Sequence, residues 1–164
     1  MKRVLTAAMA PLFLLACSEP PLTGARWVQR QARVDPLTLW RVEVVDAAEP
    51  APAVLVCADS VLHRGFQDAR PNLGGERCAV VGDPVVQGAS RSLRCVSGGQ
   101  RFAVVSSVTG DVSSDFTVRM HAAPAGGRSF VQTRKYRRLG GCPEGWRIGD
   151  HTDAKGRRVS SGVG

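Results

Sequence analysis

Residues 101–121 read RFAVVSSVTGDVSSDFTVRMH, and this stretch decides the fold class. Two runs of alternating residues flank residues 109–111 (TGD), which are typical of a turn. A period of two is typical of a half-buried β-strand, because successive side chains of a strand point to opposite faces. The stretch therefore predicts an antiparallel hairpin. The residues expected to share one face of each strand are Phe102, Val104, Ser106, Val108, Phe116, Val118 and Met120.

Similar patterns continue on both sides of this hairpin. Residues 40–45 (WRVEVV) and 130–138 (FVQTRKYRR) each predict an alternating strand, and residues 54–57 (VLVC) predict a short apolar one. Between them, Asp59 or Ser60 could cap a short helix. The apolar side of that helix would be Val61, Leu62 and Phe66.

Length and composition are consistent with a single domain. The 164 residues leave no room for two large domains, and the hydrophobic fraction of 43% excludes both a disordered chain and a multi-span membrane protein. We predict an all-β fold over residues 36–150, a single antiparallel meander of about seven strands that forms a curved sheet or a small barrel, with one short helix and two disulfides. Residues 151–164 predict a flexible polar tail, and residues 25–34 fit a helix as well as a strand.

The first 17 residues resemble the signal of an exported protein. Residues 1–3 (MKR) are positively charged, and residues 4–16 form an apolar run too short to span a bilayer, which takes about 20 residues. Residues 14–17 (LLAC) resemble the lipobox of bacterial lipoproteins. The resemblance implies that residues 1–16 are removed as a signal peptide and that Cys17 becomes acylated, for example with palmitate. The alternative is a buried N-terminal helix with an incidental cysteine.

A lipidated Cys17 would tether the mature chain to a membrane, because more than one fatty chain gives stable anchoring. Residues 17–35 would then be the anchor and linker. Ser18 stands where an Asp would resemble an inner-membrane retention signal, so we expect an exported protein at the periplasmic face of the outer membrane. That compartment excludes nucleic acid as a partner, and the aromatic fraction of 5% is low for a surface of base-stacking rings.

The four remaining cysteines predict two disulfides, because an exported domain folds in an oxidising compartment. A metal site or a thiol nucleophile fits poorly, since the chain has no C-x-x-C motif and no histidine at a ligand spacing. Three pairings are possible. A hairpin centred near residues 86–87 would place Cys78 opposite Cys95, which leaves Cys57 for Cys142.

Two segments and the cysteine spacing together resemble a known family. Residues 39–43 (LWRVE) and 136–150 (YRRLGGCPEGWRIGD) are similar to the entry strand and the closing segment of the small bacterial envelope proteins grouped as domain of unknown function 3617. The resemblance covers about residues 35–150. Thr38 stands where that family usually has a glycine, and Trp146 is bulkier than the usual residue. The family carries no activity, cofactor or catalytic residue, so the resemblance implies domain limits and cysteine roles only.

The positive charge is concentrated towards the end of the chain. Without residues 1–16 the chain has 20 basic and 14 acidic residues, and the whole excess lies in residues 128–164. The densest cluster surrounds Tyr136. It predicts either a solvated edge strand that its charge protects from pairing with other sheets, or a site for anionic envelope polymer such as lipopolysaccharide or peptidoglycan. The residues of this cluster are Arg134, Lys135, Arg137 and Arg138.

The sequence offers little support for catalysis. It has no G-x-S-x-G, H-E-x-x-H or phosphate-loop motif, and His63, His121 and His151 predict no metal site and no cofactor. We therefore predict a non-enzymatic binding module for a small or apolar ligand. The alternative is a structural tether whose basic edge contacts anionic polymer. A cavity would favour the binding module if it were lined by Phe102, Phe116, Val118 and Phe130.

Overall fold

The computed structural model describes residues 32–46, 51–73 and 76–161, and for residues 72–73 it describes the backbone alone. Residues 32–34 are helical. The strands are β1 (Thr38–Val44), β2 (Val54–Ala58), β3 (Asn72–Leu73), β4 (Glu76–Arg77), β5 (Ala79–Gln87), β6 (Ser90–Ser97), β7 (Gln100–Asp111), β8 (Asp115–Pro124), β9 (Phe130–Gly141), β10 (His151–Thr152) and β11 (Arg158–Val159), and helix α1 is Ser60–Phe66.

Nine of these strands form one sheet in the order β11-β10-β2-β1-β9-β8-β7-β6-β5, and β3 pairs with β4 separately. The all-β antiparallel fold is confirmed, but the number of strands and the small barrel are wrong, since the sheet has nine strands and is not closed. The seven longer strands of the sheet have five to twelve residues, which is long enough to leave a pattern in the sequence. The remaining two, β10 and β11, have two residues each, which is too short for any periodicity.

The meander extends only from β5 to β9. The β1–β2 hairpin joins it at β9, so the first long strand pairs with the last one along seven residue positions. This arrangement places β9 in the middle of the sheet. It also differs from a single meander, in which β2 would lie beside the next strand of the chain.

One face of the sheet carries the core, and we call it the inner face. Phe102, Phe116 and Val118 are exposed by only 1–3% and pack in the same cluster, while Phe130 is partly buried against it. Val105, between two buried neighbours, is 47% exposed on the opposite, outer face. The predicted alternation is confirmed, and Phe102 also lines an open pocket of about 770 Å³ together with Cys95 and Val96.

Helix α1 packs on the inner face through aromatic rings. Asp59 begins the helix, because its carboxylate accepts a hydrogen bond from the Leu62 N–H at 2.8 Å. Trp40 stacks on His63 with ring centroids 4.5 Å apart, and Phe66 packs on the same cluster. Val61 is 63% exposed, so its predicted place on the apolar side is wrong; the helix turns it towards solvent.

Two disulfides join Cys57 to Cys142 and Cys78 to Cys95, which confirms the predicted pairing. The predicted hairpin register is wrong, however. The turn of the β5–β6 hairpin lies at residues 88–89, and an irregularity between Val81 and Val85 shifts the pairing. Val80 therefore lies opposite Cys95, and the disulfide joins Cys95 to the residue two positions before Val80.

Part of the predicted tail continues the sheet, since residues 151–152 and 158–159 form strands; residues 162–164 lie outside the described residues. His151 pairs with Val56 of β2, and β10 pairs with β11. The carboxylate of Asp150, which is fully buried, accepts hydrogen bonds from the Arg147 N–H at 2.8 Å and from Arg158 Nε at 2.9 Å. Residues 150–159 are thus held by one buried carboxylate and two short strands, which a polar composition does not reveal.

We expect Asp150→Asn to lower stability at neutral pH. The hydrogen bond from the Arg147 N–H is the main cause that lowers the pKa of Asp150 to about 2, although burial opposes it, and Arg158 lowers the pKa further. A lowered folded pKa stabilises the protein above the ordinary value of 3.8 and loses that contribution as the pH falls towards 2. Urea midpoints of wild type and variant should therefore differ at pH 7 and converge at pH 2.

The matched control is Asp83→Asn on the exposed part of β5, which should keep the wild-type midpoint at each pH. A constant difference between Asp150→Asn and wild type at pH 7 and pH 2 would contradict the assignment.

Candidate functional site

The structure separates the four predicted basic residues. Strand β9 lies between β1 and β8 and is not an edge strand, so the prediction of an edge protected by charge is wrong. Arg134 lies opposite Val44 and Val118 on the inner face, whereas Lys135 and Arg137 lie on the outer face. Arg138 is exposed opposite Trp40. Alternation along the strand divides the cluster between the two faces.

Some of the outer-face charges are matched by neighbouring carboxylates. Lys135 lies opposite Glu43 in the strand register, and the carboxylate of Glu43 pairs with Arg41. Arg137 Nε donates to Asp115 Oδ2 at 3.0 Å. Exposed pairs of this kind contribute little to stability, but they leave less unbalanced charge for a ligand.

Arg134, on the other face, lines a cleft of about 280 Å³ between helix α1 and the sheet. We call it the arginine cleft. Leu62 and Phe66 of the helix form its apolar wall, and the segment after the helix adds polar side chains. The polar residues that line it are Asp68, Arg70, Arg77, Arg134 and Tyr136.

Asp68 is the one carboxylate among the described residues that line the cleft, and its charge is already engaged. Asp68 Oδ2 lies 3.0 Å from Arg70 Nη2, and Asp68 Oδ1 lies 3.6 Å from Arg91 Nη1. Arg77 Nη2 donates to the backbone oxygen of Asp68 at 3.1 Å. Arg134 Nε donates to the amide oxygen of Gln132 at 3.0 Å. Arg77 and Arg134 therefore have neutral acceptors as their hydrogen-bond partners.

The pKa shifts follow from this crowding of positive charge. Burial lowers the pKa of Arg77, and the positive charge of Arg70 lowers it further. Asp68 opposes this shift, and Arg134 adds to it. Burial raises the pKa of Tyr136, an effect that the charge of Arg134 opposes. At neutral pH the cleft thus presents guanidinium groups and a neutral phenol.

Tyr136 is held in place by its ring. The ring stacks on Phe116 at 4.7 Å and on Phe66 at 5.0 Å, centroid to centroid. Arg134 lines the same cleft, and its positive charge acts to lower the pKa of the Tyr136 hydroxyl. Because strand and helix both contact the ring, the hydroxyl is fixed relative to the neighbouring guanidinium.

The sequence argument identified Arg134 and missed Asp68, Arg70 and Arg77. The sequence does contain an indication that Arg77 lies near the sheet, because Arg77 directly precedes Cys78. The predicted bond between Cys78 and Cys95 ties this segment to the sheet, although it does not reveal which strand the arginine approaches.

The histidines have structural contacts that the sequence did not predict. His63 is half-buried against Trp40, and its Nε2 lies 2.7 Å from the Val112 oxygen. His151 Nδ1 lies 3.1 Å from the Gly149 oxygen, and His121 is exposed on the outer face. No group of three or more His, Cys, Asp or Glu side chains within the described residues could hold a metal ion.

The predicted lipidation site, Cys17, lies outside the described residues. Within the part of the chain that the structure describes, no helix is long and apolar enough to cross a membrane. No family model, curated protein or solved structure matches this chain. The resemblance of residues 136–150 to the domain of unknown function 3617 family therefore stays a prediction.

Proposed function

We propose that this chain is an exported bacterial lipoprotein, anchored through Cys17 at the periplasmic face of the outer membrane. Its β-domain acts there as a non-enzymatic binding module. The lipobox-like residues 14–17 support the anchor. Two disulfides support the oxidising compartment, because such bonds persist outside the cytoplasm and are rare inside it.

The observation that carries the binding function is the arginine cleft. It opens between two elements of the domain, and its guanidinium groups outnumber its carboxylates. Concave sites with a few converging polar groups and perturbed pKa values are typical of ligand binding. A non-enzymatic role is favoured because the sequence contains no G-x-S-x-G, H-E-x-x-H or phosphate-loop motif.

A structural tether to anionic polymer is the weaker candidate. It is favoured by Arg137 and Arg138, which are both exposed. A polymer that lies across the sheet would meet Lys135 and Arg137 beside Glu43 and Asp115, however. It could not contact Arg134 at the same time, since that residue lies on the inner face.

Cys17→Ser tests the anchor. We expect the wild-type protein to carry fatty acid on Cys17 and to fractionate with the outer membrane. The variant should keep its signal peptide or lack the acyl chains, and it should no longer fractionate with the outer membrane as the wild type does. Mass spectrometry of the N-terminal peptide measures the signal peptide and the acyl chains. Ser18→Ala, which leaves Cys17 intact, is the matched control and should be acylated, whereas a wild-type protein without fatty acid would contradict the proposal.

A further inference from the structure

The arginine cleft concentrates hydrogen-bond donors around a space that holds little negative charge. We propose that it binds the phosphate group of a small phosphorylated molecule. This inference rests on the proposed binding function and deepens it by naming the ligand class. The basic cluster that the sequence predicts does not form this site, because three of its four residues lie outside the cleft.

The charge balance favours an anion. Asp68 is matched by Arg70 and Arg91, so its single negative charge does not neutralise Arg77 and Arg134. Each guanidinium carries five N–H donors, and the acceptors that these two contact in the protein are neutral. Their positive charges are therefore available to a partner from outside the chain.

The donor geometry favours phosphate over a carboxylate. Arg77 and Arg134 come from two different elements, β4 and β9, and Tyr136 adds a hydroxyl beside Arg134. Two forks and a hydroxyl suit a group with three or four oxygens better than one with two. Within the described residues, Arg70 Nε and Asp68 Oδ1 are both buried without a hydrogen-bond partner, so the lining of the cleft includes one unpaired donor and one unpaired acceptor.

The walls of the cleft restrict the rest of the ligand. Leu62 and Phe66 offer an apolar surface next to the charged groups, so the phosphate would be attached to a part with some apolar character. A volume of about 280 Å³ holds a small molecule or a lipid headgroup, and a polymer strand would have to remain outside. A soluble phosphate ester and a phosphatidic acid headgroup present the same chemistry, a phosphomonoester, to the arginines.

Calorimetric titration of the full-length protein in a neutral detergent tests the proposal. The probes are inorganic phosphate, glycerol 3-phosphate and dihexanoyl phosphatidic acid, with acetate as the carboxylate comparison. We expect the phosphate probes to bind more tightly than acetate. Tighter binding of phosphatidic acid than of glycerol 3-phosphate assigns a lipid headgroup, and the reverse order assigns a soluble ligand; each supports the site.

Substitutions then locate the binding. We expect Arg77→Gln and Arg134→Gln each to weaken phosphate binding about 10- to 100-fold, which is the usual value of a charge-assisted hydrogen bond. Tyr136→Phe keeps the stacked ring and should weaken binding by less, about 2- to 10-fold. Lys135→Gln removes the same charge from the outer face of the same strand and should keep the wild-type affinity.

Thermal unfolding of each variant confirms that it folds. No binding of any phosphate probe by wild type, or an equal loss in Lys135→Gln and Arg77→Gln, would overturn the proposal. The acyl chain on Cys17 is measured separately by mass spectrometry. A protein without the anchor can therefore still bind phosphate, and an anchored protein that binds no phosphate refutes the cleft alone.

Discussion

Replacing both Cys57 and Cys142 by serine is expected to lower the free energy of unfolding by about 4–5 kcal/mol. The bond spans 85 residues of sequence and so restricts the unfolded chain strongly. In the folded protein it fixes the segment after β9 to the end of β2. Cys57 also exchanges backbone hydrogen bonds with residues 149–150, which begin the C-terminal part of the sheet. Urea unfolding under non-reducing conditions measures the loss.

The second disulfide provides the matched control. The Cys78–Cys95 bond spans 17 residues, and its removal is expected to lower the free energy of unfolding by about 3 kcal/mol. Both variants remove one disulfide from the same protein; Cys57, Cys78 and Cys95 are buried, and Cys142 is partly buried. A larger loss from the short loop than from the long one would contradict an effect on the unfolded chain as the main cause.

Trp40→Ala is expected to lower the free energy of unfolding by about 3–5 kcal/mol. The ring is 2% exposed, stacks on His63 and meets Phe66 and Phe116 edge-on at 6.0 and 5.8 Å. Its removal leaves a cavity at the point where helix α1 contacts the sheet, and both surfaces are fixed by other contacts. Urea unfolding followed by circular dichroism measures the change.

Trp146→Ala is the control for the loss of a tryptophan as such. Trp146 is half-exposed in the turn after β9, and its ring has Arg158 at 5.8 Å from the centroid. A cation–π contact of this kind contributes about 0.5–1 kcal/mol, so the loss should be small. Similar losses for the two variants would show that the aromatic cluster around Trp40 does not hold the helix to the sheet.

The fold could be predicted from the sequence where side chains alternate over many residues. Strands β7 and β8 show a clear period of two, and the buried residues Phe102 and Phe116 fall where it places them. The order of the strands could not be predicted in this way. Pairing of β1 with β9 is a contact between distant segments, and alternation shows which side of a strand is buried without showing which strand lies beside it.

The site was harder to predict than the fold. Arg134 stood out because of the positive residues beside it in the sequence, yet the sheet turns Lys135 and Arg137 to the other face. Arg70 and Arg77 lie in a segment without periodicity, and they reach the cleft through tertiary packing. The basic residues that are adjacent in the sequence are therefore a different set from the arginines that line the cleft.

The pairing of β1 with β9 has a consequence for the order in which the chain can fold. Residues 38–44 leave the ribosome early, but their partner strand, residues 134–141, is made only after most of the chain. The neighbouring hairpins from β5 to β9 need only short loops, which close at a lower entropic cost. The first strand can therefore pair early with β2 as a hairpin, but its other edge stays unpaired until the last long strand has been made, and the Cys57–Cys142 bond can close only after that point.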